Sequence, residues 1–252
     1  MREVMRQGQD EGRVDLHPFT ATKAIGVGAL ADLAGEVTII DGQVLVATVT
    51  DGAAAVRTAT DQDRATLLLA QEVPDWHKHP IDACADYAEL ERRIAEALSA
   101  HGFDLDTPTP IRVTGATTRL QVHVIAGACP IATPQGPKPW RYDGPADNVR
   151  LVGFYVENAA GKWTHHNHQS HLHAVSDQAM GHLDEVTMTA AVLWLRGLRR
   201  NHAQGDRSGS ARVSGANRDE AGLSLFLVDS GADGVSRRDY PTVDGLHGAE
   251  VT

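Results

Sequence analysis

The sequence predicts an α+β fold built on a mostly antiparallel system of β-sheets. Two observations carry that prediction. Strand-type runs recur along most of the 252 residues, and a single segment has the marks of a long helix. A third observation divides the chain. Five of its eleven prolines fall within residues 130–145, a composition expected to interrupt sheet and helix alike. The expected organisation is a flexible arm over 1–16, an N-terminal α/β part over 17–129, a proline-rich connection over 130–145 and a β-rich part over 146–252.

Each element has its own reason. Residues 35–50, GEVTIIDGQVLVATVT, read as a hairpin, because two β-rich runs flank Asp41-Gly42, a dipeptide that accepts the positive φ angles of a tight turn. Residues 66–71, TLLLAQ, read as a buried strand. The helix is expected from Asp82, as N-cap, to Gly102, with Ala85, Leu90, Ile94 and Leu98 near one stripe. Residues 111–125 read as strands with Gly115 at a turn. Further strands are expected near 150–157, 170–175, 183–196 and 222–229. Residues 201–220 are polar and rich in Gly and Ser, as in a loop.

Composition narrows the function. The formal net charge is −10 and no long Lys/Arg run occurs, so nucleic acid and anionic membranes are not expected partners. No apolar stretch reaches the length of a membrane span, and the first twenty residues lack the apolar core of a signal peptide. Cys84 and Cys129, without C-x-x-C spacing, are expected as reduced thiols. The expected location is the cytoplasm.

The chemistry concentrates in histidines. Six of the thirteen lie between His165 and His182. His171 and His173 form an H-x-H pair, and alternation along a strand places both imidazoles on one face. His182 rejoins that face if the chain folds back as a hairpin, with Gly181 able to provide the turn. Three converging imidazoles and an open position suit a catalytic first-row metal; Zn²⁺ fits, and Cu, Ni, Co or Fe remain open. Asp184 is placed to accept the second N–H of ligand His182. The ordinary reading of His165, His166 and His168 is a solvated tract. A cupin-like barrel also begins with H-x-H, and Asp177 is a weak imitation of its acidic ligand.

Three stretches together resemble a known family. GVGALADLAGEVTIIDG at 26–42, VGFY at 152–155 and HLHAVSDQAMGH at 171–182 are similar, in this order, to α-acetolactate decarboxylase. The resemblance runs from about Ile25 to Asp244. It implies two intimately packed parts sharing extended sheets, with zinc at their junction held by His171, His173 and His182. The spacing from His173 to His182 is two residues tighter than the family's, an even change that keeps face parity. The resemblance also implies an active-site carboxylate at Glu36 and a second at Asp244, one methylene shorter than the family's glutamate. Where the family strand carries an arginine, this chain has His123. Arg119 shares its strand face but stands roughly 13 Å upstream at 3.3 Å per residue.

The implied activity is decarboxylation of a 2-hydroxy-3-keto acid to an acetoin-type hydroxyketone through a metal-stabilised enediolate. Glu36 would be proton donor or relay, Asp244 a second carboxylate, and His123 a replacement electrophile or carboxylate binder. The expected partner is a small hydroxy or keto acid, with a homodimer possible. Two alternatives stand beside this reading. One is other enolate chemistry on the same scaffold, such as a ketol rearrangement or decarboxylation of another keto acid. The other is a non-catalytic metal- or ligand-binding protein.

Overall fold

A computed structural model describes residues 10–20, 22–128, 135–159, 164 and 168–197, and the backbone of four further strands between 212 and 251. Contacts divide the chain into two units, Met1–Gly197 and Leu198–Thr252. The first unit holds two sheets. In one, β1 (Val14–Asp15), β2 (Ala24–Leu30), β3 (Gly35–Ile40), β4 (Gln43–Thr50), β5 (Ala53–Thr58) and β6 (Arg64–Glu72) run in the order β1-β6-β2-β3-β4-β5. In the other, β7 (Trp76–Ile81), β8 (Thr109–Val124), β9 (Trp140–Tyr155), β10 (Ser170–Val175) and β11 (Met180–Arg196) run in the order β10-β9-β8-β11-β7. The strand β10 pairs with β9 on one side and with the start of β11 on the other, which closes a ring of four strands.

Every strand pairing among the described residues is antiparallel, and α1 (Tyr87–Ala100) is their one α-helix. The expected α+β class is corrected to a mostly β protein. The second unit contributes two hairpins, Arg212–Ala216 with Leu225–Asp229 and Arg237–Pro241 with His247–Val251. Residues 212–216 therefore pair within the stretch expected as a loop, whose remainder lies outside the described residues. The strand expected over 222–229 is found at Leu225–Asp229.

Local chemistry explains the elements and their departures. The hairpin of β3 and β4 turns on Asp41 and Gly42, both at positive φ, as the dipeptide requires. The helix starts later than Asp82. Asp86 is its N-cap, accepting from the Glu89 N–H at 2.7 Å, while Cys84 exchanges two backbone bonds with Met188 and ties the preceding residues to β11. Leu90, Ile94 and Leu98 of the expected stripe are fully buried, whereas Ala85 is exposed and precedes the helix. Gly115 sits inside the long strand β8, beside a register shift, and not at a turn. The strand β9 continues through Gly144 and Pro145. Proline is accommodated because Pro145 falls where the pairing slips between Leu120/Gly144 and Thr117/Ala146, so no ladder N–H is demanded of it. At the N-terminal end, Val14 and Leu16 are buried and β1 pairs with β6, so ordered structure begins before residue 17.

Two of the apolar clusters among the described residues follow from alternation. One packs α1 against one face of β8–β11, through Leu90, Ile94, Leu98, Val122, Leu172, Ala174 and Leu183. The other lies on the first sheet, around Val37, Ile39, Val44 and Val46. Residues between these, on the alternate faces, are left to build something else.

Candidate metal centre

His171 and His173 stand on β10, and His182 stands directly opposite His173 on β11. One nitrogen from each ring lies within 4.8 Å of the other two, as converging ligands of a single ion require. The ring centroids are 5.0–5.5 Å apart. His173 is fully buried and His182 is buried, while His171 is half-buried. The reversal between the strands is made by Ser176 and Ala179, whose backbone bond is 2.9 Å, and not by Gly181. Gly181 lies within β11, where a Cβ would come 2.3 Å from the His123 carbonyl oxygen. Glycine there lets β8 close on β11 beside His182.

The first sheet supplies two polar side chains to this face. Glu36 and Thr38 are two residues apart on β3, so they share a face while Val37 and Ile39 enter the apolar core. Thr38 Oγ1 is 2.9 Å from His173 Nδ1, and Glu36 Oε2 is 3.6 Å from His173 Nε2. The Ile125 backbone N–H donates to Glu36 Oε1 at 3.3 Å. Burial pushes the Glu36 carboxyl up to about 7. The nearby His123 and the Ile125 N–H oppose that rise, and Asp184 adds to it.

His123 lies opposite His182 across β8 and β11, with the rings 4.9 Å apart. Its Nδ1 is 2.7 Å from Asp184 Oδ1, and Arg141 Nη1 donates to Asp184 Oδ2 at 2.6 Å. Asp184, expected to serve His182, holds His123 and Arg141. It stands at a bulge: register slips between Leu183 and Glu185, and Asp184 is the extra residue. Arg119 is engaged elsewhere, in a two-point pairing with Asp143 at 3.0 and 3.1 Å. Asp177 lies in the β10–β11 turn and accepts from Asn148 Nδ2 at 2.6 Å.

His168 has a separate setting. It stacks on Tyr87 with ring centroids 4.3 Å apart, and its Nδ1 is 3.4 Å from Glu91 Oε2, which raises its pKa. Glu91 also accepts from the Gln169 and Ser170 N–H groups at 2.9 and 2.8 Å, anchoring the entry to β10. His165, His166, Cys129 and Asp244 lie outside the described residues. Two contributors escaped sequence reasoning. Thr38 was signalled by its spacing from Glu36, and Arg141 by the alternation Trp140-Arg141-Tyr142-Asp143, which the surrounding prolines obscured.

Residues 2–205 match the family model described as alpha-acetolactate decarboxylase. The chain belongs to the alpha-acetolactate decarboxylase family. Among solved structures, it is similar to alpha-acetolactate decarboxylase from Bacillus subtilis strain 168, at 19% identity and TM-score 0.58, over 75% of this chain and 80% of that one. The enzyme from Bacillus subtilis subspecies spizizenii gives 19% identity and TM-score 0.57 over the same shares. A protein of unknown function from Staphylococcus aureus, described as similar to alpha-acetolactate decarboxylase, gives 13% identity and TM-score 0.58 over 76% and 80%. These likenesses establish the decarboxylase-family fold. A search of curated proteins finds no match. No helix among the described residues is long and apolar enough to cross a membrane.

The donor set fits a first-row metal. Three imidazoles offer borderline-soft nitrogens at converging positions, and the neighbouring carboxyl and hydroxyl groups can hold their orientation.

Proposed function

We propose that this chain is a metal-dependent decarboxylase that converts a 2-hydroxy-3-keto acid to an acetoin-type hydroxyketone and CO₂. The observation that carries the proposal is the convergence of His171, His173 and His182 beside a buried Glu36 whose Oε2 lies 3.6 Å from His173 Nε2. His171, His173 and His182 would hold the ion, for which zinc suits an all-imidazole set. When bound, a divalent ion supplies Lewis acidity to the keto and hydroxyl oxygens of such a substrate.

The remaining work falls to side chains. As CO₂ departs, the electron pair of the broken C–C bond stays with the substrate, and a proton must be added at that carbon. Glu36, buried and 3.6 Å from His173 Nε2, is placed next to the histidines to relay that proton. His123, fixed through Nδ1 by Asp184, presents its ring on the same face as His182. With Arg141 on the other oxygen of Asp184, the ring is held on the face where the substrate carboxylate would bind. Asp244 keeps the role of second carboxylate in this reading.

A second reading has one observation in its favour. A His123–Asp184–Arg141 chain stands where the family has a direct arginine, so the same scaffold can serve another hydroxy or keto acid through related enolate chemistry. Metal content and CO₂ release from racemic 2-acetolactate, compared between wild type and His171→Ala/His173→Ala, test both. About one equivalent of metal with CO₂ release that the double variant loses is the expected result. Bound metal without CO₂ release favours the second reading. A protein that binds no metal sinks both.

A further inference from the structure

We infer that Thr38 is a positioning residue for the metal centre: its hydroxyl accepts the Nδ1 proton of His173 and so makes Nε2 the ligating atom. The inference rests on the proposal that His171, His173 and His182 hold a metal. It starts from two fully buried side chains, Thr38 and His173, on opposite sheets, with Oγ1 and Nδ1 2.9 Å apart.

A neutral imidazole carries one N–H and one lone pair, and only the lone pair binds a metal. The Nδ1 side of His173 is filled by Thr38 at hydrogen-bond distance, which leaves Nε2 for the ion. For Nε2 to be unprotonated, Nδ1 must carry the proton, and Thr38 must accept it. A hydroxyl donating to Nδ1 would instead force the proton onto Nε2 and block ligation. Metal binding and acceptance by Thr38 therefore require one another.

The backbone makes this contact firm. Thr38 lies on β3, which is bonded to β2 on one side and β4 on the other, opposite Val27 and Leu45. The hydroxyl therefore cannot drift without moving a central strand. There is also a consequence for the chemistry. The nitrogen selected by Thr38 is the one 3.6 Å from Glu36 Oε2, so the acid sits beside the ligating atom. Thr38 thereby fixes which edge of His173 faces the ion and the acid together.

The test is metal affinity, read by chelator competition with Zn²⁺ and Co²⁺ on the full chain, for wild type, Thr38→Val and Thr38→Ser. Thr38→Val is expected to weaken binding by about 10- to 100-fold, and Thr38→Ser to restore most of it. A role limited to packing would lower the melting temperature of the metal-free Thr38→Val protein and leave its affinity within about twofold of wild type, which overturns the inference. Should Thr38→Val fail to fold, ¹⁵N-histidine NMR of metal-loaded wild type decides. An Nδ1–H, Nε2-ligated His173 supports the inference, and ligation through Nδ1 refutes it. Wild type that takes up no metal refutes the underlying site as well, whereas wild type that binds while Thr38→Val binds equally well refutes only the part given to Thr38.

Discussion

The two faces of the β8–β11 layer have opposite characters although the same strands make both. Leu172 stands between His171 and His173, and it enters the core against Leu90, Ile94 and Leu98 of α1. The histidines either side of it point the other way, where His173 meets Glu36 and Thr38. One face gains from burial, at roughly 25 cal/mol per Å² of apolar area. The other face confines a carboxyl where its charge is disfavoured, which costs stability and leaves a group with a neutral-range pKa. A period of two separates structural from chemical residues within six positions of chain.

Breaking the chemical face should give the largest effect. His173→Ala is expected to abolish stoichiometric metal binding while the protein still folds, because the apolar face is untouched. Metal analysis beside circular dichroism checks this, and retained one-to-one binding would remove His173 from the ligand set. Breaking the apolar face should do the reverse. Leu172→Ala is expected to cost about 2–5 kcal/mol of stability through the lost burial and the cavity left behind. Its metal affinity, measured where the variant remains folded, should stay near that of wild type. Denaturant melts paired with chelator competition read both quantities, and a large fall in affinity would show that the faces are coupled.

The charge confined on the chemical face gives a smaller, pH-dependent signal. Glu36 has a folded-state pKa of about 7 against an ordinary 4.5. The folded protein therefore holds the proton more tightly, and stability present below pH 4.5 is lost as pH rises through 7. In the metal-free protein, Glu36→Gln should be more stable than wild type at pH 8 by up to about 3 kcal/mol, with the difference closing toward pH 5. Equal melting temperatures at both pH values would show that Glu36 is not charged at a cost. The smallest effect lies away from both faces, at the β5–β6 turn. Arg57 grips Asp63 at 2.6 and 2.8 Å and holds its carboxyl well below the usual range. This stability is present above the ordinary carboxylate pKa and lost as pH falls below it. Asp63→Asn should cost within about 1 kcal/mol at pH 7, since the partner is exposed to solvent, and nothing measurable in strong acid.

Much of the candidate site could be read in the chain because it is written locally. His171 and His173 are two residues apart, Asp41-Gly42 commands its turn, and the Leu90, Ile94 and Leu98 stripe follows helical spacing. Such features depend on neighbours within a few residues. The errors arose where distant strands decided the outcome. Asp82 lost the N-cap role because Met188 bonds Cys84, and Gly115 and Pro145 were absorbed into bulges of long strands. Asp184 meets His123 at a bulge, where one extra residue in β11 breaks simple alternation.

By itself, then, the sequence determined a strand-rich chain, a histidine hairpin and the family resemblance that the family model later established. Those follow from side-chain period, turn dihedrals and motif order, all properties of contiguous residues. Tertiary structure alone decided that Thr38 and Glu36 from one sheet meet His173 from another, 135 residues apart in sequence for the Thr38 contact. It also decided that Arg141 reaches His123 through Asp184. Those contacts depend on strand register and sheet-on-sheet packing, whose free energy is summed over whole faces and is carried by no single local pattern.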